Sequence, residues 1–337
     1  MRIWAVSDGR AGIDNQVLGL AEAIGRLTPV EIVTKRIGWK APLDPLPPRL
    51  NPAPIWGRSS GSSDFIAPWP DLWIAAGRAS LPLSIRVRRW SEGKTFVVQL
   101  QDPRTPAGLF DLVAPPRHDR LTGPGVFPIT GSPHRITAKT LADARLRFEH
   151  LLASLPRPRV TVLIGGKSKA FDLSPKRAER LADDLARALD QHGASLLMTF
   201  SRRTPAAAKA ILRRRLQTYP GLIWDGEGDN PYFAFLAAAD FIIATEDSVN
   251  MVAEAASTGK PVYIASVDGA QWRKRLFHAD LAERGMARPF QGELNPFKYE
   301  PLRETDRLAT EILRRLAAKV SAIKIAPTPN LRRSGER

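Results

Sequence analysis

Short apolar runs alternate along the chain with segments whose apolar residues recur three and four positions apart. In the first half, 2–7 (RIWAVS), 71–76 (DLWIAA), 95–100 (TFVVQL) and 111–114 (DLVA) read as buried strands, and 16–27 (QVLGLAEAIGRL) reads as an amphipathic helix. A second series follows at 159–165 (RVTVLIG), 194–200 (ASLLMTF), 222–225 (LIWD), 240–245 (DFIIAT) and 261–266 (PVYIAS), with helices predicted over 174–191, 205–217, 231–239 and 248–257. Near-continuous apolar strands that alternate with helices call for parallel sheets covered on both faces. The pattern therefore predicts an α/β protein made of two doubly wound, Rossmann-like halves.

Proline and glycine mark the joints. Segment 42–54 (PLDPLPPRLNPAP) holds six prolines, which rule out a regular helix or central strand there. Segment 123–133 (GPGVFPITGSP) is a second loop, 137–155 is helical, and PRPR at 156–159 breaks the chain again. The expected organisation is an α/β domain over 1–135, a linker helix and Pro-rich junction over 136–158, and a second α/β domain over 159–300. A helix at 303–319, within 301–320, should pack back on the first domain, and the polar tail 321–337 should be disordered.

Composition narrows the classes. The 337 residues, 43% hydrophobic and 25% charged, suit two folded domains. No apolar run approaches the ~20 residues of a membrane span. The first residues, MRIWAVSDGR, lack a signal peptide's apolar stretch, so a cytoplasmic protein is expected, with peripheral contact at the inner face of the membrane as its membrane option. With no cysteine, disulfides and thiolate chemistry are excluded. The five histidines, at 118, 134, 150, 192 and 278, are scattered, which argues against a histidine metal centre or a Ser-His-Asp triad. No metal is expected. The net charge of +16 is spread over both halves, so it favours phosphate-bearing partners in general without selecting one. No nucleic-acid module accompanies it, and nucleic acid ranks last.

Ligands of open parallel sheets bind beyond the carboxyl ends of the strands. Two glycine turns stand at such ends: Asp8-Gly9-Arg10-Ala11-Gly12 through Asp14-Asn15-Gln16 after the first strand, and Gly165-Gly166-Lys167-Ser168 after the first strand of the second half. Neither fits a Walker A loop or G-x-G-x-x-G. Backbone N–H groups of a glycine pair can approach an oxyanion, and Lys167 adds charge, although an ordinary tight turn needs the same glycines. The stretch 239–262 is the most informative: a strand ends in the polar turn Glu246-Asp247-Ser248, then a helix carries Val249, Val252, Ala253 and Ala256 on one face. Glu254 lies opposite that stripe, facing solvent or a cleft.

This stretch resembles the donor-binding domain of the glycosyltransferase B fold, as in the peptidoglycan N-acetylglucosaminyltransferase family. Over roughly 1–318 the chain resembles the mitochondrial fission family named for the plant elongated-mitochondria protein. That resemblance rests on DGRAGIDNQ (8–16), QDPR (101–104), IGGKSKAF (164–171), TFSRRTP (199–205), DNPYFAFLAAAD (229–240) and TEDSVNMVAEAASTGKPV (245–262). It implies a glycosyltransferase B fold and a nucleoside-diphosphate sugar in an interdomain cleft. By the same resemblance Glu254 would hold the donor ribose. Gly165, Gly166, Lys167, Ser168 and the 245–248 turn with Met251 would face the phosphates and sugar, Arg202 and Arg203 would pair with phosphate, and Gln271 would reach the sugar. Gly9, Arg10, Gly12, Asn15, Gln16, Gln101 and Asp102 would line the acceptor side. Asp8, ahead of Asp14, would be the general base, although Asp8 could equally cap its own turn. The acidic turn and the absence of a histidine from the N-terminal loop depart from the transferase pattern. The readings are a metal-independent inverting sugar transferase with an unidentified acceptor, a sugar-nucleotide epimerase, or a non-catalytic membrane-associated adaptor. In the adaptor, Trp39, Trp56, Trp69 and Trp73 would be contacts, or else would pack their own loop.

Overall fold

The computed structural model describes residues 1–44 and 46–325, with side chains up to 321. The first sheet comprises β1 (Arg2–Ser7), β2 (Glu31–Arg36), β3 (Leu72–Ala75), β4 (Phe96–Leu100) and β5 (Leu112–Ala114), all parallel in the order β2-β1-β3-β4-β5. Helices α1 (Ala11–Leu27) and α2 (Leu81–Trp90) cover opposite faces. On one face Ile3, Leu72 and Val98 pack with Leu20 and Ile24 of α1. On the other, Trp4, Trp73 and Val97 pack with Leu83 and Val87 of α2 and with Phe65 and Leu43 of the proline-rich lobe.

After α3 (Ala138–Arg147) and α4 (Glu149–Leu152) the second sheet is built from β6 (Arg159–Ile164), β8 (Ser195–Phe200), β9 (Gly221–Trp224), β10 (Phe241–Thr245), β11 (Val262–Ala265) and β13 (Ala287–Pro289). Its order, β13-β11-β10-β6-β8-β9, is parallel throughout and reverses direction between β6 and β10. A two-stranded pair, β7 (Phe171–Asp172) with β12 (Asp268–Gly269), sits beside it. The covering helices are α5 (Pro175–His192), α6 (Ala206–Leu216), α7 (Tyr232–Ala238), α8 (Val249–Ala256) and α9 (Trp272–Glu283). Helix α10 (Glu304–Ile325) returns to the first sheet, where Leu308, Ala309 and Ile312 join the α1 core.

Several elements differ from the sequence expectation. Helix α1 starts at Ala11 rather than 16, so Gly12, Asp14 and Asn15 belong to its first turns and not to a loop. The 137–155 helix breaks at Phe148 into α3 and α4. Strand β2 was not anticipated because it is an edge strand none of whose residues is buried. Helix α9 carries the basic cluster Arg273 to Arg275, which reads as helical, but its extent is not legible because only Phe277 and Leu281 among its residues are buried, too few for a periodic stripe. The last helix continues through 321–325, which the sequence reading placed in the tail; residues 326–337 of that tail lie outside the described residues.

Candidate functional site

Each sheet has one point where neighbouring strands lead off in opposite directions, and there the βα loops part to leave a crevice. In the first sheet this lies between β1 and β3; in the second, between β6 and β10. The two behave differently. A cleft of ≈ 570 Å³ opens at the carboxyl ends of the first sheet. Its floor is Gln99, Leu100 and Gln101, its sides are Gly77, Arg78, Arg104, Pro116 and His118, and the second half closes it with Val249, Asn250, Gln271 and Arg273.

The cleft wall is rich in carboxamides. Gln101 Nε2 donates to Gln16 Oε1 at 2.9 Å, and Gln16 Nε2 donates to Asn250 Oδ1 at 3.2 Å. Asn250 Oδ1 also accepts from Ser132 Oγ at 2.9 Å, while its Nδ2 reaches the Gly12 carbonyl at 3.4 Å. Asn250, in the first turn of α8, is thus the knot that ties the two sheets. Gln99 is 1% exposed and donates Nε2 to the Leu100 carbonyl at 3.2 Å. Its Oε1 has no partner among the described residues. Buried acceptors are rarely left so, because an unmet one costs about 1–3 kcal/mol. Gln101 and Arg104 hold left-handed backbone conformations, φ +69° and +51°, and Asp102 Oδ1 accepts from Arg104 N at 2.8 Å to shape this QDPR turn. Strain of this kind collects where a loop is held for a purpose. On the far wall Arg273 Nη1 meets Asp119 Oδ1 at 3.3 Å.

The crevice of the second sheet is filled from within. Gly165 N donates to Thr245 Oγ1 at 2.7 Å and Gly166 N to Asp247 Oδ2 at 2.8 Å. Of the glycine N–H groups expected to face an oxyanion, that of Gly166 already has one, the buried carboxylate of Asp247, and that of Gly165 is taken by the Thr245 hydroxyl. A Cβ on Gly165 would sit 2.2 Å from Asp247 Oδ2, and one on Gly166 would sit 2.3 Å from the Arg203 backbone, so glycine is required for this close approach. The remaining space, bounded by Asp172, Leu173 and Val267, has ≈ 0 Å³ for a water-sized body. Lys167 N donates to the Arg203 carbonyl, Lys167 Nζ pairs with Asp172 at 3.0 Å, and Ser168 N donates to the Phe171 carbonyl. Arg202 and Arg203 are exposed.

The acidic turn is tied down equally well. Glu246 Oε1 accepts from Val267 N, its carbonyl accepts from His278 Nε2 at 2.9 Å, and the Asp247 carbonyl accepts from Lys274 Nζ. Ser248 caps α8 by accepting from Met251 N, and Met251 is half-buried. Glu254 faces neither solvent nor an open cleft: it is 5% exposed, with Tyr232 Oη donating to its Oε2. Burial pushes its carboxyl up to about 7, against the opposing pull of the tyrosine hydrogen bond.

In the first loop Asp8 is held by Arg10, whose Nη2 lies 2.5 Å from Asp8 Oδ2, and Asp14 accepts from Ser7 Oγ. Gly9 N donates to Ser7 Oγ, and Asn15 is half-buried on α1. Neither aspartate is among the residues lining the cleft, whereas Gln16, Gln101, Asp102 and Gln271 are. Sequence reasoning missed His118, Gln99, Asn250 and Arg273. One signal was available: Gln99 is the polar residue near the end of the otherwise apolar TFVVQL. Of the four tryptophans weighed as surface anchors, Trp39 and Trp73 are core residues, Trp69 stacks on Trp90, and Trp56 is exposed. Among the described residues no cluster of acidic and histidine side chains is arranged to hold a metal, and no helix is long and apolar enough to cross a membrane.

The chain has relatives in sequence and in shape. It is 34% identical over 277 residues to the mitochondrial fission protein ELM1 of Arabidopsis thaliana, covering 74% of this chain and 65% of that protein, and so spans about two thirds of the plant relative's length. It is 29% identical to the uncharacterised protein RP120 of Rickettsia prowazekii (strain Madrid E), over 92% of this chain and 97% of the other. Its fold is that of UDP-GlcNAc 2-epimerase from Methanocaldococcus jannaschii, with a TM-score of 0.57, 12% identity, 93% of this chain and 100% of the other covered. A second structure of that epimerase, with UDP-GlcNAc and UDP, superposes at a TM-score of 0.54 and 11% identity, covering 93% of this chain and 99% of the other. Two Rossmann-like domains facing a cleft are the glycosyltransferase B arrangement. The profile described as mitochondrial fission ELM1 matches residues 11–316, and the chain belongs to that family.

Proposed function

We propose that the cleft binds a nucleotide sugar and that the protein moves the sugar to a hydroxyl acceptor, with arginine and lysine side chains rather than a metal meeting the phosphate charge. The observation that supports this most is the buried, unpartnered Gln99 Oε1 in the floor of a polar cleft shared by both sheets. A ligand hydroxyl or amide N–H supplies the donor that this oxygen lacks. Arg78, Arg104 and Arg273 give the same cleft the charge for phosphates, because guanidinium forks match phosphate oxygens. Glu254, Gly165, Gly166, Lys167 and Arg202 remain candidates for the donor half, reached by a ligand once Asp247 and Tyr232 yield. Calorimetric titration with UDP-GlcNAc, UDP and uridine tests the reading. Binding of the first two well above uridine supports it, and no heat from any of them at millimolar concentration rejects it.

A second reading, an adaptor that works by surface contact, draws on a different observation. Leu50, Ile55 and Trp56 are 68%, 72% and 73% exposed on one proline-rich lobe. Such clusters mark contact surfaces.

A further inference from the structure

Resting on the reading of the cleft as a nucleotide-sugar site, we infer that His118 is its general base. The residue sits on a short 3₁₀ turn, Arg117–Asp119, immediately after β5, and this turn is anchored by Arg117 N donating to the Ile129 carbonyl at 2.8 Å. Its ring rests against Phe277 of α9, 5.6 Å between centroids, and lines the cleft from the first half. Among the described residues neither ring nitrogen has a hydrogen-bond partner.

The other four histidines do not offer this combination. His134 is buried and shared between Ser257 Oγ and the Ile136 N–H. His278 spends Nε2 on the Glu246 carbonyl, His192 is packed on Phe241, and His150 lies on α4, away from the cleft. His118 alone is held in place, reaches the cleft and keeps its ring nitrogens available.

Charges around it set its proton affinity. Burial lowers it, Asp119 on the same turn raises it, and Lys274 and Arg273 of α9 lower it again, with His278 facing it from that helix; the balance is downward. The imidazole is therefore neutral near pH 7 and able to accept a proton. In the step assigned to it, His118 takes the proton of an incoming alcohol or water. That oxygen bonds to the anomeric carbon as the bond from this carbon to the phosphate oxygen breaks, the electron pair leaving on the nucleoside diphosphate. The imidazolium then returns its proton to solvent.

The test uses the full chain with UDP-GlcNAc and UDP as probes. Ring resonances of ¹⁵N-histidine-labelled protein are followed across pH 5–8, and UDP release from UDP-GlcNAc is measured for wild type and His118→Gln. The inference expects a His118 titration midpoint below the usual histidine range and a shift of its resonances on adding UDP. It also expects UDP release to fall by about 10²–10⁴-fold in His118→Gln, with UDP affinity within threefold of wild type. Binding of UDP that leaves His118 unmoved, retained turnover in the variant, or binding without UDP release by wild type would each overturn the base assignment and leave the cleft reading standing. Absence of UDP and UDP-GlcNAc binding would overturn both.

Discussion

The Tyr232 hydroxyl donates to Glu254 Oε2 at 2.5 Å, beneath the surface between α7 and α8. Because burial raises Glu254 to about 7 from 4.5, the folded protein holds a proton there that the unfolded chain releases between those values. Stability from this group is therefore complete below pH 4.5 and is lost as pH rises through 7, by roughly 3 kcal/mol at most. His134 works the other way: burial depresses it to about 4, so its share of stability grows between pH 4 and 6.5. The two slopes oppose each other up to 6.5. Glu254→Gln should remove only the first, so the variant should gain on wild type from pH 5 to about 7 and then run level with it in urea denaturation. Parallel curves would show that Glu254 does not titrate in this range.

Asp247 lends the second glycine turn a carboxylate from within the fold, on the Gly166 N–H. Asp247→Ala leaves the Gly166 N–H unmet and should cost about 1–3 kcal/mol of stability. The same change frees the Gly166 N–H and opens a small cavity before α8, so inorganic phosphate should bind the variant at least tenfold more tightly than wild type. A folded variant with unchanged phosphate affinity would mean that the turn is only structural.

Much of the architecture was readable because strands such as VTVLI and LWIA are buried on both faces, which leaves an unbroken apolar signature. Edge and surface elements carry no such mark. Strand β2 reads EIVTKR, half polar, and α9 reads WRKRLFHADLAE, with two buried residues in three turns. The candidate site was less readable for a different reason. Gly166 and Asp247 are 81 positions apart, and only folding shows that one satisfies the other. Gln99, His118, Asn250 and Arg273 come from four separate elements, and none carries a local pattern.

Gln99→Leu separates ligand recognition from packing. The substitution removes an unmet buried acceptor while keeping its volume, against the loss of the Nε2 hydrogen bond to the Leu100 carbonyl, so stability should hold within about 1 kcal/mol. Affinity for UDP-GlcNAc should fall at least tenfold if Gln99 Oε1 accepts from the sugar, with UDP affected much less. Equal losses for both ligands would place Gln99 against the nucleotide instead.

The exposed lobe makes the adaptor reading testable without a known protein partner. Leu50, Ile55 and Trp56 stand out from the surface beside Lys40, whose Nζ reaches the Trp56 carbonyl at 3.5 Å, and Arg49 and Arg58 flank them in the chain. Exposed apolar side chains with basic residues near them in the chain suit an anionic bilayer, where each basic residue near the surface adds about 1 kcal/mol and the rings settle among headgroups. Pro48 of this lobe also borders the cleft, so docking would bring the cleft to the membrane face. Vesicles containing phosphatidylglycerol should pull the protein down in sedimentation, neutral phosphatidylcholine vesicles should do so much less, and 0.5 M salt should weaken the effect. Ile55→Ser with Trp56→Ser should reduce binding at least fivefold at constant charge. If the double variant sediments like wild type, the attraction comes from the general positive charge, and the lobe has no part in it.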